Sequence, residues 1–174
     1  ALTHPSYTKE KELSVLKSYE RLEFFGDSVL KLFSSQILIN KYPEYEEGKL
    51  SQIRSILVSD ATITKIAREI GLDKIIKLSK AEETQGGRNR DSNIACAFEA
   101  ILGAYYLDGK IDEVKKFLEY SLSKYINNID NNFIKYNAKA VLQEYTQSKS
   151  KELPVYNTIS ITGPEHKPVF EVSV

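Results

Sequence analysis

The sequence predicts a mainly α-helical protein in two parts, a helical unit followed by a smaller unit of one helix and a β-hairpin. Three observations carry this reading. From Glu20 to about Lys124, apolar residues recur at three- and four-residue spacing, the period of helices packed on a core. The run INNIDNNF, Ile126 to Phe133, is rich in asparagine and interrupts that period. After Pro154, YNTISIT and VFEVSV alternate with period two, as strands do.

Taken in order, helices are expected near residues 20–40, 48–58, 61–70, 92–107 and 111–125. Punctuation falls between them at Tyr42-Pro43, Gly48, Gly71, Gly86-Gly87 and Asp108-Gly109. A short helix from Ala138 to Ser148 precedes the hairpin, whose strands are joined by Gly163-Pro164-Glu165-His166-Lys167-Pro168. The organisation is then a first unit over 1–127, a linker over 128–136 and a second unit over 137–174. One helix and one hairpin cannot enclose a core. Further elements are therefore expected beyond Val174, and the start at Ala1 without a methionine reads as a cut end as well.

The 174 residues are 41% hydrophobic, enough for one substantial core and a small appended unit. Formal net charge is zero, so any polyanion would have to be met by a local patch rather than by a global field. After Asn128, Lys135, Lys139, Lys149, Lys151 and Lys167 are balanced by Asp130, Glu144, Glu152, Glu165 and Glu171. One cysteine excludes an internal disulfide and fits a reducing compartment. The most apolar run, Ala100 to Leu107, is too short to span a bilayer. A cytoplasmic protein without a membrane partner is expected.

The stretch YERLEFFGDSVLKL, Tyr19 to Leu32, threads Glu20, Glu23 and Asp27 through apolar residues. At roughly 100° per residue, Glu23 and Asp27 fall within about 60° of Glu20, so the three share a face. Leu22, Phe25, Val29 and Phe33 form the apolar stripe elsewhere on the helix. Like charges at this spacing repel. Either Lys17 and Arg21 relieve a solvated acidic face, or the acids hold a hard divalent cation.

A second acid stands out in SNIACAFEAILGAYYL, Ser92 to Leu107, where Glu99 is the one charge in a helix apolar on nearly every side and Asp91 or Ser92 is placed to cap it. A buried carboxylate needs a partner or a proton. Cys96, Ala100 and Gly103 share its side and leave room for another helix. If that helix is the acidic one, Glu99 joins Glu23 and Asp27 around one cation; otherwise it pairs with a lysine or arginine, or is protonated. Phe24 projects beside the acids, about 40° from Glu20. An aromatic there suggests an interface such as a dimer, or cover by a neighbouring loop.

Together these segments resemble the ribonuclease III family. YERLEFFGDSVL resembles its signature helix, ALTHPSY (Ala1 to Tyr7) the motif before it, GKLSQIRSILVS the following helix, and GGRNRDSNIACAFEAILGAYYLDG the second site helix. NAKAVLQEYTQSKSKELPVYNTISITGPEHKPVFEVSV resembles the first half of a double-stranded RNA-binding domain. The resemblance implies an all-helical endonuclease domain that forms a homodimer and hydrolyses both strands of duplex RNA in RNA processing, leaving staggered ends with 5′-phosphates and 3′-hydroxyls. It implies Mg²⁺ as cofactor, with Mn²⁺ as a substitute, and no nucleotide cofactor. It assigns Glu23, Asp27 and Glu99 to the metal site, Glu20 to an acid of the signature, and Phe24 to the dimer interface. In the second unit, Gln143, Glu144 and His166 match segments that contact RNA minor grooves. Arg88 and Arg90 read as part of a helix-entry loop, with phosphate contact as the alternative.

One departure bears on activity. Where the family reads Asp-x-x-Glu, this chain reads Cys96-Ala97-Phe98-Glu99. A neutral, soft thiol does not replace an aspartate toward Mg²⁺. The implied enzyme works with three carboxylates; the alternative is a catalytically impaired homologue that binds double-stranded RNA. A rival class, the all-helical nucleotide pyrophosphatases, also uses Glu-x-x-Glu with Mg²⁺. It wants a later Glu-x-x-Asp on a nearby helix, which is absent at a suitable spacing, and leaves the second unit unexplained.

Overall fold

The computed structural model describes residues 1–163 and 168–174. It divides into two units, Ala1–Asn131 and Asn132–Val174. The first contains α1 (Pro5–Glu10), α2 (Glu20–Lys41), α3 (Glu47–Leu57), α4 (Asp60–Glu69), α5 (Lys80–Thr84), α6 (Asp91–Leu107) and α7 (Ile111–Asn131). The second contains α8 (Phe133–Tyr136), α9 (Ala138–Ser150) and an antiparallel pair, β1 (Asn157–Thr162) and β2 (Val169–Ser173).

The core of the first unit is built around α6, whose buried residues Ile94, Ala95, Ala97, Phe98, Ala100, Leu102 and Gly103 face several directions. A helix apolar on all sides must be enclosed. It is enclosed by α2 through Val29, Leu30 and Phe33, by α4 through Ile63 and Ile66, and by α7 through Val114, Leu118 and Leu122. Phe98, at the centre, is 1% exposed, so the residue next to Glu99 is locked in place.

Between α2 and α6 the approach is backbone to backbone. A Cβ added to Gly26 would lie 1.8 Å from the Glu99 carbonyl oxygen, and one added to Gly103 would lie 2.4 Å from the Leu22 carbonyl oxygen. No side chain fits at either position. The small residues expected to admit a neighbouring helix therefore do so, and that neighbour is the acidic helix.

The segment ALTHPSY fixes the start of α2. Lys77 holds the backbone on both sides of Thr3, accepting from His4 N at 3.0 Å and donating from its own N to Leu2 O at 2.8 Å, while Tyr19 N donates to Thr3 O at 2.9 Å. The His4 ring packs edge-on against Tyr19 at 5.7 Å, and Pro5 opens α1 behind a His4 side-chain cap. Pro at the first helical position costs no hydrogen bond.

Three local expectations are revised, and the reading of Arg88 and Arg90 as part of a helix-entry loop stands. The segment 128–136 is largely helical: α7 runs through Asn131 because Ile126 and Ile129 continue its buried stripe and Tyr45 Oη donates to Asp130 at 3.1 Å, and α8 follows. The asparagines are its exposed face. Neither Asp91 nor Ser92 caps α6; the cap position is Arg90, and Asp91 instead lies 3.7 Å from Arg68 Nη2. Helices α1 and α5 were not expected, being too short to show a period. Arg88 and Arg90 are held internally: Arg88 forms two 2.6 Å bonds to Glu83, and Arg90 Nη1 lies 2.8 Å from Glu82.

In the second unit the strands pair Asn157 with Ser173 through Thr162 with Val169, with an irregularity between Thr158 and Ser160. Lys139 Nζ lies 4.9 Å from the Tyr156 ring centroid, joining α9 to the chain entering β1. No described residue of this unit is fully buried.

The close crossing makes a stability prediction. Gly26→Ala should destabilise the protein by about 3 kcal/mol in urea unfolding, since backbone cannot yield as a side chain can. Gly48→Ala, at a helical position with no atom within 4 Å of the added carbon, should stabilise by about 0.5 kcal/mol. Equal effects of the two changes would remove the crossing from the account.

Candidate metal centre on helices α2 and α6

The acids come together because the Gly26–Gly103 contact leaves no layer of side chains between α2 and α6. Glu23 and Asp27 are half-buried on α2, and Glu99 is half-buried on α6. Burial, and then the carboxylates of Asp27, Glu23 and Asp60, push the Glu99 carboxyl up from 4.5 to about 7, with Lys31 opposing. Three acids near a fourth without a neutralising cation raise its proton affinity in this way. Among the described residues, no lysine or arginine forms an ion pair with Glu99.

Asp60, the first residue of α4, was not singled out from the sequence. In SDAT it reads only as an acid opening a helix, which the helix dipole favours. Its nearness to Glu99 is a product of how α4 packs on α6.

Lys31 was also missed. Its Nζ donates to Asp27 Oδ2 at 2.8 Å, four residues along α2. The relief expected from Lys17 and Arg21 is absent: among the described residues neither forms an ion pair. The i, i+4 spacing of Asp27 and Lys31 was the available signal. Glu20 is exposed and accepts a 2.9 Å hydrogen bond from the buried Ser18 Oγ, which fixes its side chain at the entrance to α2.

Cys96 lies one helical turn before Glu99. Burial, then hydrogen bonding to the Glu23 carboxylate, pushes its thiol up to about 12. At neutral pH it is a neutral thiol, not a thiolate.

Phe24 is 80% exposed, and Leu16 and Leu107, lining the same open concavity with Leu22 and Phe25, are exposed too. Gln143 and Glu144 are exposed on α9, in the other unit. His166 lies outside the described residues. A separate hollow lined by Ile70, Phe98, Ile101, Tyr105, Glu113 and Phe117 includes none of Glu20, Glu23, Asp27 and Glu99.

The donor set suits a hard divalent cation in charge and atom type, since Glu23, Asp27 and Glu99 offer carboxylate oxygens, and burial together with the neighbouring carboxylates pushes the Glu99 carboxyl up. The side chains are not drawn in around a centre: among the described residues no three acidic, histidine or cysteine groups converge on a common point. Asp27 is turned to Lys31.

The chain matches the family model described as Ribonuclease-III-like over residues 1–126 and that of the double-stranded RNA binding motif over residues 138–174. It is 38% identical to Ribonuclease 3 of Fusobacterium nucleatum subsp. nucleatum, covering 100% of this chain and 74% of that protein. The chain belongs to the ribonuclease III family. Ribonuclease 3 of Oleidesulfovibrio alaskensis is 43% identical over 99% of this chain and 75% of its own length. Among solved structures, the ribonuclease III nuclease domain of Campylobacter jejuni, described with flexibility in a region involved in dimer formation, aligns with a TM-score of 0.64 and 36% identity over 71% of this chain and 82% of that one. Dicer from Pichia stipitis aligns with a TM-score of 0.53 and 31% identity over 88% of this chain and 73% of that one. The mainly helical architecture is thus that of the ribonuclease III nuclease domain, and the chain is an enzyme of that family.

The raised Glu99 carboxyl has a pH signature. Its folded value, about 7, lies above the reference 4.5, so its contribution to stability is complete below the reference and is lost as pH rises through the folded value. In chelator, the unfolding free energy should decline between about pH 5 and pH 8, and Glu99→Gln should flatten that decline. An unchanged slope in the variant would place the titrating group elsewhere.

Proposed function

We propose that this ribonuclease III family enzyme hydrolyses double-stranded RNA with Mg²⁺ as cofactor and Mn²⁺ as a substitute, leaving 5′-phosphates and 3′-hydroxyls on staggered ends. The observation that carries the reading is that Glu23 and Asp27 of α2 and Glu99 of α6 lie at a glycine-lined crossing of the two helices, where burial and the neighbouring acids push the Glu99 carboxyl up to about 7. Structural acids are normally paired. A cluster maintained at this electrostatic cost is suited to bringing a cation to phosphate.

Glu23, Asp27 and Glu99 would hold the ion, which when bound supplies an acidified water and stabilises the departing oxygen. Ser18 keeps Glu20 oriented at the rim of the same helix. Cys96 does not add charge, because its thiol stays protonated beside Glu23. Exposed Gln143 and Glu144, together with His166, are proposed to contact the minor groove, where 2′-hydroxyls distinguish RNA from DNA. Phe24, at 80% exposure beside an open apolar concavity, supports a homodimer in which each copy offers the same patch to the other. Two copies give two sites, as cutting both strands requires.

The neutral thiol favours a second reading, a duplex-binding protein with impaired chemistry, because an aspartate at position 96 would bring one more charged oxygen ligand. One comparison separates the two. With a perfect RNA duplex in Mg²⁺, the protein should cleave, Glu99→Gln should lose more than about 100-fold in rate, and Cys96→Asp should gain roughly ten-fold, the effect of about 1.4 kcal/mol in the barrier. Cleavage by Cys96→Asp alone would establish the second reading.

The dimer has its own test. Sedimentation at micromolar concentration should give a dimer, and Phe24→Ala should shift it toward monomer, since aromatic anchors carry a large share of interface energy. A dimer unaffected by the change would move the interface away from Phe24.

A further inference from the structure

Lys31 projects from α2 one turn beyond Asp27, and its ammonium donates to Asp27 Oδ2 at 2.8 Å. The pair is partly solvated, with side-chain exposures of 54% and 38%. It is therefore weak and readily exchanged. Lys31 is also the cation that opposes the rise in the Glu99 carboxyl. The same positive charge thus serves both helices of the acidic cluster. The next turn of α2 carries Ser35, whose Oγ donates to Lys31 O at 2.6 Å and accepts from Arg54 Nη1 at 2.8 Å. Asp27, Lys31, Ser35 and Arg54 form a line leading away from the acids along the surface of α2 and α3.

We propose that Lys31 is a positioning residue with two alternating partners: Asp27 while no cation is bound, and an RNA phosphate once a cation has taken Asp27. This inference rests on the metal-dependent reading above. A divalent cation needs the Asp27 oxygen that Lys31 occupies, so the two compete for it. The displaced ammonium stays tethered to α2 beside the cluster, where a compact cation on a flexible stem suits phosphate. Because a phosphate that draws Lys31 away frees Asp27, RNA and cation favour each other's binding, and linkage makes that favour mutual.

Lys31→Met tests the exchange, with Lys41→Met as a control of equal charge change. Lys41 lies on the same helix ten residues on and is engaged with Asn127 Oδ1 at 2.6 Å. The first readout is Mn²⁺ affinity by titration calorimetry without RNA. Lys31→Met should bind about two- to five-fold more tightly than the parent, the range an exposed ion pair supports, and Lys41→Met should match the parent. The second is the slope of log kcat/KM against log salt in Mg²⁺ with duplex RNA. Lys31→Met should reduce it by about one phosphate contact, while Lys41→Met leaves it unchanged. Identical behaviour of the two variants in either readout would overturn the proposal. A parent that binds no Mn²⁺ would overturn the metal-dependent reading as well, so the two failures are distinct.

Discussion

Two helices of this protein touch through their backbones, and the candidate site depends on that contact. An added carbon at Gly26 would lie 1.8 Å from the Glu99 carbonyl oxygen, and one at Gly103 would lie 2.4 Å from the Leu22 carbonyl oxygen. Ordinary helix pairs stand 8–10 Å apart, with side chains between them. At this crossing there is no such layer, so carboxylates on both helices project into one region. Phe98 behind Glu99, and the Leu2–His4 hook beneath Tyr19, keep both helices in register.

The contact sets up an electrostatic conflict that the fold relieves only in part. Lys31 takes Asp27, Ser18 takes Glu20, and the Cys96 thiol stays neutral beside Glu23. Glu99 is left with burial and three acidic neighbours. A cysteine at position 96 lessens the conflict, because a thiol raised to about 12 adds no negative charge at neutral pH. It also withholds a ligand. The trade is physically coherent: fewer charged oxygens mean less repulsion in the empty site and a weaker hold on a hard cation.

Much of this was legible in the residues. The period of α2, α3, α4, α6 and α7 marked the helical unit, and the shift to alternation marked the hairpin. The shared face of Glu20, Glu23 and Asp27 follows from helix geometry alone, and the small residues flanking Glu99 announced a close neighbour. What escaped was non-local. Asp60 reaches the cluster only through the packing of α4 on α6, and nothing in its surroundings in the chain signals that. The asparagine run masked the end of α7 because Ile126 and Ile129, the residues that bury it, are diluted among polar neighbours. Lys31 was within reach of an i, i+4 argument and was passed over for Lys17 and Arg21, which lie before the acids or between them.

The most direct measurement is the anomalous scattering of Mn²⁺ in crystals of the protein. The account predicts an ion bounded by Glu23, Asp27 and Glu99, with Lys31 no longer on Asp27 and the Cys96 sulfur outside the coordination sphere. An ion bound elsewhere, or one held by Cys96 with Asp27 still paired to Lys31, would contradict it.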